Sequence, residues 1–148
     1  MTMLSNSCRY GIRAVIYLAS QRSGDFKTGI KQISNDLDLP TPFLAKILQQ
    51  LAKQKILSSS KGPHGGFSLS KDPRNITLLD IVNTIDGYDT FTNCVMHKGT
   101  CEGINREKKF CPLHEDYEKT RTELIKLFSN KTIYELVMKA DSSEFITI

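Results

Sequence analysis

A mainly α-helical fold carrying one small β-hairpin is what the sequence predicts, on three observations. Apolar residues recur every three or four positions in most segments, the period of a helix with one buried face. One stretch, from Ile56 to Leu69, breaks that period and reads as two extended runs around a glycine-dense centre. The chain has 148 residues, 39% hydrophobic and 24% charged, with a mean hydropathy of −0.29. At this length folding hides about 68–70% of the unfolded surface, enough for a core without covalent staples. The same figures exclude a disordered polyelectrolyte, a collagen-like repeat and a membrane-spanning protein. The longest apolar stretch, Ala14 to Ala19, is far too short to cross a bilayer.

The elements follow in order. Tyr10, Ala14, Tyr17 and Leu18 recur at helical spacing between Ser5 and Ser20, with Arg9 and Arg13 on another face, and Gly24-Asp25 breaks this first helix. Ile30, Ile33 and Leu37 share one face of a short second helix. In Leu39-Pro40-Thr41-Pro42, Pro40 pushes Leu39 out of helical geometry. Thr41 is then an N-cap and Pro42 the first helical residue. The third helix runs from about Pro42 to Lys53 and is expected to bury Phe43, Leu44, Ile47, Leu48 and Leu51. Ile56-Leu57 opens a strand, Lys61 to Gly66 is a basic glycine-rich tip, and Phe67-Ser68-Leu69 returns. Thr77 to Asp80 caps another helix that carries Ile81, Val82 and Ile85 and stops at Gly87. From Gly87 to Phe110 no period is visible, and a loop of some twenty residues is expected to be functional or disordered. Cys111-Pro112 restarts a helix with Glu115, Asp116 and Glu118 near its positive end. Leu113, Tyr117, Thr120, Leu124 and Leu127 form a heptad seam suited to pairing with another helix, widened by Ile125 and Phe128. Thr132 to Glu135 reads as a capping box opening a last helix with Ile133, Leu136 and Val137.

Charge divides the chain. Residues 1–75 hold eleven Lys/Arg against four Asp, a net +7; residues 76–148 hold nine Lys/Arg against twelve Asp/Glu, a net −3. A basic first half suggests a polyanion partner, although solvation alone would also account for such charges. Helix, helix, capped helix and basic hairpin together are the order of a winged helix-turn-helix, whose second motif helix enters the DNA major groove. Thr41, Pro42, Ala45, Lys46, Gln49 and Gln50 occupy the reading positions, and Lys53 suits phosphate. A glutamine can read adenine in a bidentate way, and a lysine suits guanine or phosphate. The hairpin is then the wing, with Lys61, His64 and Gly65 approaching the duplex.

In the reducing cytoplasm expected for this chain, four cysteines argue against a disulfide framework and for metal or redox chemistry. Cys94, Cys101, Cys111 and His114 follow the spacing C-x6-C-x9-C-x2-H. Three thiols and one imidazole suit an iron–sulphur cluster or zinc, and the lack of a C-x2-C knuckle favours the cluster. Free thiols that bind nothing are the plain alternative. Cys8 reads as a small buried hydrophobe and His97 as a solvated loop residue. No phosphate-binding loop, dinucleotide fingerprint, zincin helix or nucleophile elbow is present, so an enzyme is not expected.

The residues resemble the bacterial winged-helix regulators of the Rrf-two family, which includes IscR, NsrR and CymR. The likeness runs along nearly the whole chain: Leu4 to Tyr10, Ile30 to Lys53, and the wing Gly62-Pro63-His64-Gly65-Gly66-Phe67 with Leu69 and Lys71-Asp72-Pro73. Ile76 to Gly87, the three-cysteine loop and Asn130 to Leu136 continue it. The resemblance implies a homodimeric transcription regulator with crossed long C-terminal helices and a cluster held by Cys94, Cys101 and Cys111. Cys111-Pro112-Leu113-His114 matches the pattern in which His114 is the fourth ligand, so 2Fe–2S is expected over 4Fe–4S. Such a cluster need not survive isolation. Where other members take an acid from the partner's first helix, this chain has Arg9 beside Cys8, so Cys8 of a partner subunit is the alternative ligand. Two departures stand out: a longer gap between Cys101 and Cys111, and His64 where glycine is common.

The expected organisation is a winged-helix DNA-binding domain (1–86), a cysteine-rich sensor loop (87–111), and a dimerisation helix with a short last helix (112–148). The expected function is a cytoplasmic, homodimeric repressor or dual regulator. Its affinity for double-stranded operator DNA would be set by a cluster or by redox-sensitive cysteines, with no membrane partner. A cluster-free regulator sensing a metabolite or thiol oxidation is the second reading. A zinc-stabilised protein-interaction module is the third.

Overall fold

The computed structural model describes residues 3–21, 26–101 and 111–140. The expected break at Gly24-Asp25, the loop segment 102–110 and the last eight residues lie outside them. Helix α1 (Asn6–Ser20) begins where Ser5 accepts a hydrogen bond from the Cys8 N–H at 3.0 Å. Helix α2 (Ile30–Leu37) buries Ile33 and Leu37, with Ile30 packed beside them. It ends on Asp38 at φ +53°, a left-handed conformation that a short polar side chain tolerates. The chain then reverses, the Leu39 N–H closing on the Ser34 carbonyl at 2.9 Å.

Helix α3 (Thr41–Lys53) corrects the expected start by one residue. Pro40 is the cap, and Thr41 is already helical. Its hydroxyl shares a 2.8 Å hydrogen bond with the Ser34 hydroxyl, tying α3 back to α2 instead of capping its own helix. Leu44, Ile47, Leu48 and Leu51 are buried as the spacing requires, but Phe43 is 42% exposed. Phe43 lies at the margin of the apolar stripe and meets Tyr10 edge-on, ring centroids 5.8 Å apart.

Strands β1 (Leu57–Ser60) and β2 (Gly66–Leu69) pair antiparallel, Leu57 opposite Leu69 and Ser60 opposite Gly66. One pairing had no sequence signature. Thr28 bridges Phe67 through two 2.9 Å backbone hydrogen bonds, which fasten the hairpin to the segment before α2. A short turn of 3₁₀ helix (Pro73–Asn75) leads to α4 (Leu78–Ile85). There the capping box forms completely: the Thr77 hydroxyl accepts from the Asp80 N–H, and the Asp80 carboxylate accepts from the Thr77 N–H. Thr77→Ala is expected to cost about 1 kcal/mol, read as a melting midpoint lower by about 2–4 °C.

After Gly87, in the left-handed region at φ +74°, comes a single turn, α5 (Asp89–Thr92), that buries Phe91. Helix α6 runs from His114 to Asn130. At 17 residues it is only two longer than α1, so its length is modest for the long helix expected. Helix α7 (Ile133–Lys139) is capped by the Thr132 hydroxyl, which accepts from the Glu135 N–H at 3.2 Å. The Glu135 carboxylate pairs with Lys131 at 3.1 Å.

The main core gathers α1, α2, α3, α7 and the base of the hairpin around Val15, Ile33, Leu44, Leu48, Ile76 and Ile133. A second cluster of Cys8, Val82, Phe91 and Phe128 attaches α6 to α1 and α4, with the two phenylalanines edge-to-face at 5.6 Å. The fold is the mainly helical one with a two-stranded wing that the spacing predicts. No helix among the described residues is long and apolar enough to cross a membrane.

Candidate functional site

Two features combine exposed functional side chains with a rigid support. The first is the outer face of α3. Pro42, Lys46, Gln49, Gln50 and Lys53 are exposed, while Thr41 and Ala45 are half-buried. The same helix anchors itself by Leu44, Ile47, Leu48 and Leu51, so its polar face is held by a packed one. The wing tip presents Lys61, Pro63 and His64 to solvent. Gly65 lies half-buried in the turn, its N–H bonded to the Gly62 carbonyl at 2.9 Å. A Cβ on Gly65 would stand 2.3 Å from the Ser60 carbonyl oxygen, so the tip requires glycine there.

The second feature is a cleft where the loop after α5 meets the start of α6. Asn93 and Thr100 form an antiparallel bridge, and the Cys94 N–H bonds the Gly99 carbonyl at 2.9 Å. This small turn, with Gly99 at φ +96°, folds Cys94 and His97 against each other. The Cys94 sulphur lies 3.5 Å from His97 Nδ1 and 3.9 Å from the Cys111 sulphur. The three donor atoms are all within 4.8 Å of one another. Cys101 and His114 line the same narrow cleft with Leu113 and Tyr117, but neither joins that trio among the described residues. The structure therefore brings together two of the four expected ligands, places the other two alongside, and adds His97. The reading of His97 as a solvated loop residue is corrected: it is half-buried against a thiol. A signal for it was present, since Cys94-x2-His97 repeats the spacing of Cys111-x2-His114.

Cys111 and His114 also sit differently from expectation. His114 is the first residue of α6 and Cys111 lies in the turn before it, the His114 N–H reaching the Cys111 carbonyl at 3.2 Å. They are thus joined by a turn and do not lie along one helix surface. Glu115 and Asp116 do occupy the first turn of α6, at its positive end.

Cys101 is 6% exposed and its sulphur accepts a 3.1 Å hydrogen bond from the Arg121 guanidinium. Arg121 is itself buried. It donates to the Asn93 carbonyl at 3.1 Å and to Glu118 at 2.8 Å, and lies 4.8 Å from the Tyr117 ring centre. Burial opposes its charge, but the hydrogen bond and charge of Cys101, with Glu118 and Tyr117, raise its pKa on balance. Cys8 is far from exposed: fully buried in the second cluster, its thiol is pushed up to about 12, by burial first and by Asp86 second. It fits the buried hydrophobe reading, and a thiol so placed speaks against the alternative of a ligand offered to a partner subunit.

The Cys94 thiol goes the other way. The hydrogen bond from His97 lowers it to about 6, aided by the Met96 and His97 N–H groups and Cys111, against a smaller opposing effect of desolvation. In metal-free protein its alkylation rate is therefore expected to rise through pH 6 and level off by about pH 7, because only the thiolate reacts. A Cys94→Ser control isolates the signal. A midpoint near the ordinary thiol value would show that the His97 contact does not persist.

A paired helix motif, an exposed polar second helix and a fastened glycine-rich wing define a winged helix-turn-helix protein, here with a thiol-rich cleft at the start of its C-terminal helix. A family profile described as iron-dependent transcriptional regulator, Rrf2, matches residues 4–139. The chain belongs to the Rrf2 family of transcriptional regulators. It is 31% identical over 135 residues to a protein of Aquifex aeolicus named as an HTH-type transcriptional regulator, covering 91% of both chains. It is 27% identical over 141 residues to the HTH-type transcriptional regulator IscR of Yersinia pestis, covering 95% of this chain and 82% of that one. The structure of CymR, the global cysteine regulator of B. subtilis, superposes with a TM-score of 0.73 at 23% identity, over 94% of this chain and 98% of the other.

Proposed function

We propose that this Rrf2-family regulator binds operator DNA as a homodimer and that the state of its cysteine cleft sets its affinity. Helix α3 would read the major groove through Lys46, Gln49 and Gln50, with Thr41, Pro42 and Ala45 close to the duplex and Lys53 on phosphate. Lys61, His64 and Gly65 of the wing would follow the neighbouring backbone. Exposed lysines and glutamines beside a glycine-rich tip are the chemistry such contacts need. A second copy would cover the seam of α6, where Leu113 and Leu127 are exposed at 39% and 54%. It would also fill the apolar groove lined by Leu4, Tyr10, Ile16 and Leu136.

The observation that carries the sensor reading is the approach of Cys94 and Cys111. Seventeen residues apart in sequence, their sulphurs are 3.9 Å apart, in a cleft that Cys101 and His114 also line. Three thiols and an imidazole in one cleft fit the donor chemistry of an iron–sulphur cluster. Cys94, Cys101 and Cys111 would hold it, with His114 as fourth ligand, and 2Fe–2S is favoured over 4Fe–4S. Such a group supplies one-electron chemistry. The chain's own part is to tie the loop to α6 and so to the second core cluster, where an ordered or released loop shifts a two-state equilibrium.

The test is iron and acid-labile sulphide content, with a visible spectrum, on protein purified without oxygen. Matched iron and sulphide are expected, and loss of both in Cys111→Ala. Colourless protein holding neither would sink the cluster reading. The cluster-free alternative, direct thiol oxidation, is favoured by the low pKa of Cys94. Both rest on DNA binding, which fluorescence anisotropy with a labelled duplex checks separately.

A further inference from the structure

Cys94, His97 and Cys111 have the spacing of ligands to a single ion. In a tetrahedral site with metal–sulphur bonds of about 2.3 Å and metal–nitrogen bonds of about 2.05 Å, two sulphurs stand about 3.8 Å apart and sulphur and nitrogen about 3.6 Å. The observed separations are 3.9 Å between the sulphurs and 3.5 Å between Cys94 and His97 Nδ1. Two edges of a tetrahedral face are thus set by the protein alone, and the third, between His97 and Cys111, is within 4.8 Å. The chelating turn is built for this. The Asn93–Thr100 bridge closes the loop, and the Cys94 N–H bonds the Gly99 carbonyl at 2.9 Å. Ionising both thiols at this distance would cost charge repulsion, which a divalent cation between them would remove.

Cys101 is committed elsewhere. Its sulphur accepts from a guanidinium that is fixed by Asn93, Glu118 and the Tyr117 ring. Drawing Cys101 toward a metal would leave a buried guanidinium N–H unpaired.

We propose that Cys94, His97 and Cys111 bind one borderline-soft divalent ion, zinc(II) or iron(II), with Cys101 held out of the ligand set by Arg121. This is a different occupant of the same cleft, exclusive of the cluster because both need Cys94 and Cys111, and it replaces the third thiolate by His97. The fourth corner stays open to water or to an incoming ligand.

The experiment is a cobalt(II) titration of the metal-free full-length protein, followed by the visible bands of tetrahedral cobalt with thiolate ligands. One equivalent per chain is expected. His97→Ala should weaken binding by at least about a hundredfold, since losing a direct ligand exceeds the 10–100-fold lost with an outer partner. His97→Cys, which keeps a soft donor, should retain it, and Cys101→Ser should leave the affinity unchanged. A wild-type protein without tetrahedral bands overturns the proposal, and so does Cys101→Ser proving as damaging as His97→Ala. A cluster held by three cysteines would give the reverse pattern in anaerobic protein: iron and sulphide lost in Cys101→Ser and kept in His97→Ala.

Discussion

Raising salt from about 50 to 200 mM is expected to weaken operator binding by about a thousandfold. Lys46, Lys53 and Lys61 are all exposed on the α3 and wing surface, and two subunits would bring about six such charges to phosphate. Each neutralised phosphate releases counterions, so log K falls with log salt at a slope of about −0.9 per contact, near −5 here. Lys46→Ala removes one contact per subunit. It should lower that slope by about two and reduce the loss over the same range to about a hundredfold. Gln49→Ala should act differently, costing about 1–3 kcal/mol on the specific duplex while leaving the slope as it was. Neither change touches the buried face of α3, so the melting midpoint should not move. A slope near zero, or one that Lys46→Ala does not change, would remove α3 from the interface.

That separation of polar and packed faces is also why so much of the fold was legible. Leu44, Ile47, Leu48 and Leu51 must fall on one side of any helix, and Thr77 and Thr132 are residues whose hydroxyls satisfy free N–H groups at a helix start. What escaped the sequence has no period. Thr28 joins the wing through two backbone hydrogen bonds that any residue but proline could make. Thr41 looked like a cap because a proline followed it, yet its hydroxyl had a better partner in Ser34, seven residues earlier. Phe43 obeyed the helical spacing but lay at the edge of the stripe, where Tyr10 met it from outside the core. Arg121 was one basic residue among several on α6, and only the folded loop showed a guanidinium 7% exposed against Cys101. In the cysteine region the ligand types were visible, but which donors meet depends on one bridge, Asn93 to Thr100, and on Gly99. Counting thiols therefore favoured Cys101 and His114, whereas the geometry groups His97 with Cys94 and Cys111.

Gly66→Val is expected to detach the wing from the segment before α2 at a large cost in stability. Gly66 has φ +153°, and a Cβ there would lie 2.4 Å from the Thr28 carbonyl oxygen, 2.6 Å from its carbon and 2.9 Å from the Gly29 nitrogen. All three are backbone atoms, held by the pair of Thr28–Phe67 hydrogen bonds, so no side-chain rotation relieves the contact. Either those two bonds break or the first residues of α2 move. The cost should be about 3 kcal/mol or more, which lowers the melting midpoint by about 6–12 °C for a chain of this size. Gly62→Ala is the matched comparison. It too has positive φ, at +102°, but nothing lies within 4 Å of its Cβ position, so only backbone strain of about 1–2 kcal/mol is expected. Hydrogen exchange distinguishes the two causes. Gly66→Val should expose the Phe67 and Thr28 amides together, and Gly62→Ala should leave both protected. Equal exchange in both variants would mean that the wing is held by its own hairpin alone. Thr28 would then have no part in fixing Lys61 and His64 relative to α3.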